Sequence, residues 1–300
     1  MNFKYKCYLQ KVLSKIHNGD RLNYLFQKFV TRNLPVSDSQ FLAKIDIVMK
    51  HYHNFLEYNE LKTDTGKYYE FGAGWDLIIP LSMSMLGLEV NCIDIRKLVK
   101  PELIINTITR LKSRKNHIPF KYKEIKSDTL IKRKILTHLK DDFHLSYHAP
   151  IDARNTNFDN DTFDFISSTS TLEHIPKEDI PLILNECFRI LKNGGIFSMI
   201  IDYQDHWSYF DYNISVYNFL QFSSKQWARY NPSLNYQNRL RHPDYLHLIE
   251  NTDFKIVTDI PIQPSAEDFE ILKKLKINEE YKDYDLNYLG IRGSEIVLVK

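Results

Sequence analysis

Hydrophobic positions in the first 60 residues follow the period of amphipathic helices. Leu9, Val12, Leu13 and Ile16 have i, i+3, i+4, i+7 spacing, and Phe41, Ile45, Val48 and Met49 follow the same helical period. Ser37 followed three residues later by Gln40 matches a capping box, which predicts where the second helix starts. We therefore predict that residues 1–64 form a helical N-terminal extension.

From residue 67 onward the pattern changes to short apolar runs that alternate with helical periods. The helical periods cover residues 76–86 and 180–191, and the runs predict strands at 68–71, 88–93, 147–151, 163–168 and 196–201. Two further runs, 254–262 and 295–299, are expected to complete the sheet as an antiparallel pair. This order predicts an α/β fold with a mostly parallel, Rossmann-like sheet and helices on both faces.

Composition narrows the class of protein. The 300 residues are 43% hydrophobic and 26% charged, and 40 basic against 38 acidic residues leave a net charge of +2. Such a charge gives no global reason to expect a nucleic-acid partner. The three cysteines form no CxxC pair, and no apolar run reaches the ~18 residues of a membrane span. We expect a cytoplasmic protein without a membrane span, and its oligomeric state stays open.

Two segments of the expected domain 65–300 stand out by composition. Residues 97–145 are rich in Lys and Arg, which indicates either a surface for an anionic substrate or a solvated basic insertion. Residues 203–245 are rich in Tyr, Phe, Trp, Asn and Arg. We interpret that second segment as an acceptor lid, with a cap filled by aromatic side chains as the equal alternative.

A Gly-x-Gly turn follows the first predicted strand. Gly72 and Gly74 can adopt positive φ, and the missing Cβ lets a ligand lie against the backbone. A dinucleotide-binding turn needs a third glycine three residues later, and Leu77 stands there instead. The turn therefore indicates a ligand site other than a nicotinamide pyrophosphate site.

Six motifs in order resemble those of class I S-adenosylmethionine-dependent methyltransferases. They extend over about residues 65–202 and read Glu70-Phe71-Gly72-Ala73-Gly74, Cys92-Ile93-Asp94, Asp152-Ala153-Arg154, Phe163-Asp164-Phe165-Ile166, Leu172-Glu173-His174-Ile175 and Leu191-Lys192-Asn193-Gly194-Gly195. The resemblance implies a seven-stranded sheet, S-adenosylmethionine as cofactor and a methyltransferase activity.

The resemblance also implies roles for individual residues. Glu70 and Thr169 would face the methionyl part of the cofactor, and Gly72, Ala73 and Gly74 would seat it. Asp94 would accept hydrogen bonds from the ribose hydroxyls, a usual role for a carboxylate at that strand end. The adenine would contact Ile95, Asp152 and Ala153. Asp152 has an alternative role, as the cap of the turn that follows it.

The acceptor side is predicted from residues after the fourth and fifth strands. A hydroxyl acceptor needs a general base, for which His206, beside two carboxylates, is favoured over His174. Trp207, Arg239 and Arg241 are expected to bind the acceptor. Asp202, Asp205 and Glu173 could ligate Mg²⁺, but their spacing matches no metal signature, so no metal site is assigned.

These observations predict an O-methyltransferase that acts on a small molecule or a saccharide. An RNA methyltransferase that uses the basic segment is one alternative, and it predicts salt-sensitive RNA binding. A non-catalytic protein that binds the cofactor as a scaffold is the other.

Overall fold

The computed structural model describes residues 2–14, 19–30, 33–114 and 134–300. Its N-terminal part is helical, as predicted: α1 is Phe3–Leu13, α2 is Gly19–Leu25, a π-helical stretch covers Phe26–Val30, and α3 is Asp38–Tyr58. The predicted capping box is present at the start of α3. The Ser37 hydroxyl accepts the Gln40 N–H at 3.2 Å, and the Gln40 side chain accepts the Ser37 N–H at 3.0 Å.

A seven-stranded sheet follows, in the order β3-β2-β1-β4-β5-β7-β6. The strands are β1 Lys67–Phe71, β2 Glu89–Ile93, β3 Leu145–His148, β4 Phe163–Thr169, β5 Leu191–Asp202, β6 Lys255–Pro261 and β7 Gly293–Val299. Strand β7 runs antiparallel to both β5 and β6, and the other pairs are parallel. The predicted α/β fold and its antiparallel end are confirmed.

Helices cover both faces of this sheet. Adjacent residues of β1 point to opposite sides, so that Tyr68 joins a core shared with α3, α4 Ile78–Met85, α5 Pro101–Ser113 and α6 Ile135–Phe143. Tyr69 joins the other core, to which α7 Ile180–Ile190 and α9 His242–Glu250 contribute. Helix α3 of the N-terminal extension is thus part of the main core.

Three element boundaries differ from the predicted ones. Helix α4 begins at Ile78, because Leu77 before it adopts a left-handed conformation with φ 50°. Strand β3 begins two residues earlier than predicted. Strand β5 begins at Leu191, so Gly194 with φ +77° is a kink inside the strand, where a turn before the strand was expected. Leu191 already pairs with Phe163, which extends the ladder past the glycine.

Segment 203–245 forms a third core together with the N-terminal helix. Phe3 and Cys7 of α1 pack in one cluster with Trp207, Tyr217 and Trp227. The remaining helices are α8 Ser224–Trp227, α10 Ala266–Lys274 and α11 Leu286–Gly290. Within the described residues, no helix has both the length and the apolar character that crossing a bilayer requires.

Candidate functional site

Two adjoining cavities lie at the carboxyl ends of β1, β2 and β4, the edge where open α/β sheets bind ligands. The walls of the smaller, of about 160 Å³, include Gly72, Asp94, Ile95, Asp152 and Ala153. The walls of the larger, of about 540 Å³, include Glu70, Gly72, Ala73, Gly74, Thr169 and His174. All nine residues that the sequence assigns to the cofactor therefore line one cavity or the other, and Gly72 lines both. Their contact with a cofactor stays a prediction.

The two glycines of the turn serve different purposes. Gly72 has φ +77°, and a Cβ there would lie 2.6 Å from Cγ2 of Thr171, so only glycine fits the fold. Gly74 has φ +75°, but a Cβ there would meet no heavy atom within 4 Å. The space beside Gly74 is part of the larger cavity. The turn is therefore shaped for a ligand that lies against the backbone at Gly74.

Glu70 is a buried carboxylate that lines the larger cavity. Its Oε2 accepts the Tyr68 hydroxyl at 2.9 Å, and that hydroxyl lies 2.6 Å from the hydroxyl oxygen of Ser167. Burial raises the pKa of Glu70 from 4.5 to about 8. A cationic group placed beside Glu70 would compensate for the lost solvation of the carboxylate. This environment suits the ammonium group of an amino-acid ligand.

Asp94 follows β2, lines the smaller cavity and contacts the Gly-x-Gly turn. Its Oδ2 accepts the Tyr147 hydroxyl at 2.9 Å, and its Oδ1 accepts the Gly74 N–H at 3.4 Å. Burial raises the pKa of Asp94 from 3.8 to about 7, against the effect of both hydrogen bonds. The carboxylate is held in a fixed orientation, as the binding of a ribose diol requires.

Asp152 has a structural role as well as a place in the cavity wall. Its Oδ1 accepts the backbone N–H of Arg154 at 2.9 Å, and its Oδ2 accepts from the Arg154 guanidinium at 2.6 Å. These hydrogen bonds hold the pKa of Asp152 below its usual value. Arg154 also pairs with Asp179 at 2.7 Å. The Asp152 carboxylate therefore caps the turn that follows it, and its contact with an adenine stays a prediction.

A histidine of the N-terminal extension reaches the same site. His51 of α3 is fully buried, with Nε2 3.0 Å from the Thr169 hydroxyl oxygen and Nδ1 2.7 Å from that of Ser198. Burial lowers the pKa of His51 to about 3, so the ring is neutral. The sequence interpretation missed this residue. The available signal was a polar residue three positions after Val48, on the apolar face of α3.

Residues before α3 also form part of the larger cavity. Gln27, Leu34 and Val36 line it. Trp75, directly after the Gly-x-Gly turn, meets the Tyr24 ring edge to face with centroids 5.5 Å apart. Trp75 lines the cavity as well. The N-terminal extension therefore packs against the Gly-x-Gly turn and forms part of the wall of the larger cavity.

His174 is the histidine that lines the larger cavity. Its Nδ1 lies 2.6 Å from the Tyr236 carbonyl oxygen, which can only accept, so Nδ1 carries the proton and Nε2 has a free lone pair. The ring meets His206 edge to face with centroids 4.8 Å apart. Burial and the neighbouring His206 lower the pKa of His174 to about 4.

His206 packs against His174 and is not one of the residues that line the larger cavity. Its Nε2 is 3.2 Å from Oδ2 of Asp202, an orientation that leaves Nδ1 with a free lone pair. Asp202 is itself fixed, because it accepts the Gln204 N–H at 2.9 Å and the Tyr209 hydroxyl. The Tyr209 ring stacks on His206 with centroids 5.2 Å apart. The structure thus brings together the two histidines and one of the carboxylates that the sequence proposed.

Glu173 lies beside this pair of histidines, and one ligand atom of each of the three residues lies within 4.8 Å of the other two. It is 2% exposed, and neither of its carboxylate oxygens has a hydrogen-bond partner among the described residues. Burial, and next the charge of Asp202, raise the pKa of Glu173 well above its usual value. The other suggested carboxylate ligand, Asp205, is used elsewhere, because it accepts the Trp207 N–H and the Asn218 amide at 2.8 Å each.

The side chains of Trp207, Arg239 and Arg241 make contacts within the protein, and their contact with an acceptor stays a prediction. Trp207 is 1% exposed and donates its indole N–H to the Tyr230 carbonyl at 3.0 Å. The guanidinium of Arg241 is buried and donates to three main-chain carbonyls, those of Tyr203, Leu289 and Ile291. Arg239 donates to the Phe222 carbonyl at 2.6 Å and lies 3.5 Å from Glu280. These contacts tie segment 203–245 together and join it to the residues around α11.

The basic segment 97–145 is in part built into the core. Helix α5 buries Leu103, Ile104 and Ile108. Arg110 donates to Asp38 at 2.6 Å and lies over the Phe41 ring at 4.0 Å from its centroid. Residues 115–133, which hold half of the remaining basic residues of this segment, lie outside the described residues.

Comparisons with known proteins gave one match to a family model. A family model described as a methyltransferase domain matches residues 127–199, about a quarter of the chain. No curated protein matches the sequence.

Solved structures with a similar fold include three methyltransferases. A SAM-dependent methyltransferase of Methanosarcina mazei is 16% identical over 83% of this chain and 95% of its own, with a TM-score of 0.44. An S-adenosylmethionine-dependent methyltransferase of Mesorhizobium loti is 11% identical over 84% and 96%, with a TM-score of 0.44. Phosphoethanolamine N-methyltransferase 2 of Haemonchus contortus is 13% identical, and the match covers 92% of this chain and 59% of the Haemonchus chain, with a TM-score of 0.46. These likenesses are too distant to transfer an acceptor.

Proposed function

We propose that this chain, which carries the domain and the sheet order of a class I S-adenosylmethionine-dependent methyltransferase, methylates a hydroxyl group of a small molecule or a saccharide. S-adenosylmethionine is its cofactor. When bound, it supplies a methyl group on a sulfonium, which an acceptor oxygen displaces in line as the C–S electron pair leaves with sulfur. The chain's own residues have to seat this cofactor, exclude water and receive the hydroxyl proton.

The two cavities fit the cofactor. Asp94, Ile95 and Ala153 would hold the adenosine in the smaller cavity. Glu70 and Thr169 would hold the methionyl part in the larger one, where the open space beside Gly74 admits it. The Glu70 carboxyl group, whose pKa is raised by burial, would gain a cationic partner in the ammonium group of the methionyl part. The Asp94 carboxylate, which is fixed by two hydrogen bonds, would accept hydrogen bonds from the ribose hydroxyls.

The observation that carries the choice of a hydroxyl acceptor is the histidine pair at the larger cavity. His174 lines the cavity and has a free Nε2 lone pair, because its Nδ1–H is held by the Tyr236 carbonyl. Behind it, His206 is held by Asp202. Loss of a proton is needed for a hydroxyl to become a strong nucleophile, and an imidazole in this position can receive that proton. We therefore assign the acceptor contact to His174 and the positioning of its ring to His206 and Asp202.

The test is a transfer assay with methyl-labelled S-adenosylmethionine against panels of hydroxylated small molecules, saccharides, amines and RNA, with products identified by mass spectrometry. Label on oxygen is expected. His174→Gln should lower kcat by roughly 10²–10⁴-fold, and calorimetry should show nearly unchanged cofactor affinity. His247→Gln, at an exposed histidine of α9, is the matched control.

Each alternative has its own outcome in this assay. Label that appears only on RNA or only on amines would refute the hydroxyl acceptor. Cofactor binding without product from any panel would favour a scaffold. Normal turnover of His174→Gln would refute the assigned base.

A further inference from the structure

Glu173 and the two histidines, His174 and His206, together have the composition of a metal site. One ligand atom from each of Glu173, His174 and His206 can be chosen so that all three lie within 4.8 Å of one another. From these contacts we propose that Glu173, His174 and His206 bind a divalent first-row transition-metal ion such as Zn²⁺. The binding of the ion does not depend on the proposed function, but its role does.

The first argument is the state of Glu173. A carboxylate in a buried position is normally paired or fully hydrogen-bonded, since its solvation is lost. Glu173 is 2% exposed and both its oxygens lack a hydrogen-bond partner among the described residues. A cation between the carboxylate and the two imidazoles would satisfy both oxygen atoms.

The second argument is the orientation of the two imidazoles. Histidines that bind metals usually donate their other N–H to a backbone carbonyl or a carboxylate, which fixes the ring and its tautomer. His174 is held by the Tyr236 carbonyl at 2.6 Å, and His206 by Asp202 at 3.2 Å. Each ring therefore keeps one nitrogen lone pair available as a ligand. Both supporting contacts are of the kind expected around a metal ion.

The third argument is the donor set and its position. Two imidazole nitrogens and one carboxylate oxygen are the ligands of catalytic zinc sites that keep one position open. Ligand distances of about 2.0–2.2 Å require the three atoms to approach one another by about an ångström. Glu173, whose carboxylate oxygens have no hydrogen-bond partner within the described part of the chain, can make that movement. The open position would face the larger cavity, since His174 lines it.

An ion there would change how the acceptor is activated. A hydroxyl oxygen that binds at the open position loses its proton more readily, because the cation lowers its pKa. Both histidines would then be ligands, and the proton would pass to solvent. The oxygen would still displace the methyl group and the C–S electron pair would still leave with sulfur. This role of the ion rests on the proposed function: in the metal-loaded protein the ion activates the hydroxyl and His174 holds the ion, and His174 receives the hydroxyl proton only in the metal-free protein.

The experiment is metal loading of the full chain after treatment with a chelator. Mass spectrometry should find about one Zn²⁺ per chain, and Co²⁺ should give visible absorption bands that report its coordination by nitrogen and oxygen. Glu173→Gln and His206→Gln should remove these bands. Asp202→Asn, which removes a support of His206 and not a ligand, should weaken binding by roughly 10–100-fold.

Controls separate this site from misfolding and from surface binding. Glu178→Gln and His247→Gln, at exposed positions, should bind Co²⁺ like the parent protein. Each variant must also bind S-adenosylmethionine, which reports an intact cofactor turn. The proposal is overturned if the parent binds no stoichiometric ion, or if Glu173→Gln binds it equally well.

The role of the ion is tested separately. Undiminished methyl transfer by the chelator-treated protein would overturn that role and leave the hydroxyl acceptor standing. A loaded protein that makes no methylated product would count against the proposed function and not against the metal site.

Discussion

His51 Nε2 lies 3.0 Å from the hydroxyl oxygen of Thr169, although the two residues are 118 positions apart. This contact joins helix α3 to the strand end where the cofactor is expected. We predict that His51→Leu lowers the free energy of unfolding by about 1–3 kcal/mol, because it removes a partner of the half-buried Thr169 hydroxyl and of the buried Ser198 hydroxyl. Urea titration measures that loss, and calorimetry should show weaker S-adenosylmethionine binding. His53→Leu, at an exposed position of the same helix, is the control. Equal stability of both variants would contradict the prediction.

The two glycines of the turn should respond differently to alanine. Gly72→Ala brings a Cβ within 2.6 Å of Thr171, in addition to the strain of positive φ. It should destabilise the fold by about 2–4 kcal/mol. Gly74→Ala should lower the free energy of unfolding only by the strain of positive φ, about 1–2 kcal/mol. Its methyl group would, however, occupy space in the larger cavity. We expect Gly74→Ala to fold and to lose cofactor affinity, as measured by urea unfolding and calorimetry. The reverse order of stabilities would contradict this account.

Burial of Glu70 makes the stability of the cofactor-free protein depend on pH. Its folded pKa, about 8, is above the unfolded value of 4.5, so the folded state binds the extra proton. The contribution to stability is complete below the unfolded pKa and is lost as pH rises through about 8. The slope should approach about 1.4 kcal/mol per pH unit between these values. Urea unfolding at several pH values measures it. Glu70→Gln should flatten the curve, and Glu178→Gln, at an exposed position, should leave it unchanged.

Asp94 should be decisive for cofactor binding. Asp94→Asn keeps the shape but loses the charged acceptor for the ribose hydroxyls, so the S-adenosylmethionine affinity should fall by roughly 10–100-fold. Calorimetry measures the loss. Asp253→Asn, at an exposed position after α9, should bind like the parent protein. An unchanged affinity in Asp94→Asn would mean that the ribose is held elsewhere.

Arg241 should matter for stability and not for the acceptor. Arg241→Met leaves three buried main-chain carbonyls without donors, so the free energy of unfolding should fall by about 3–5 kcal/mol. Arg229→Met, at an exposed arginine, should cost little. If Arg241→Met instead keeps the parent's urea midpoint and raises KM for the acceptor, the acceptor role expected from the sequence would be restored.

The parts of the fold that could be predicted are those that local sequence determines. The strand and helix order follows from hydrophobic period, and the turn at Gly72 follows from backbone freedom. Glu70 and Asp94 could be placed because each stands at the end of a parallel strand, so their neighbours in space follow from the sheet.

The contacts that could not be predicted depend on packing between distant segments. His51 reaches Thr169 only because α3 packs on the sheet, and the apolar period alone does not place a polar residue on that face. Arg241 looked like an anion-binding residue, yet its guanidinium satisfies main-chain carbonyls of the last helix. Charge in a sequence does not say whether the partner is a ligand or the backbone.

Because helix α3 is part of the main core, a functional fragment of this protein has to include it. The recognisable motifs begin at Glu70, and the matched methyltransferase domain begins at residue 127. A fragment started at residue 65 would nevertheless expose the apolar face of the sheet that Phe41, Val48 and Phe55 cover. It would also lose the wall of the larger cavity formed by Gln27, Leu34 and Val36. Transplanting or swapping this catalytic core would therefore require moving its N-terminal helices with it.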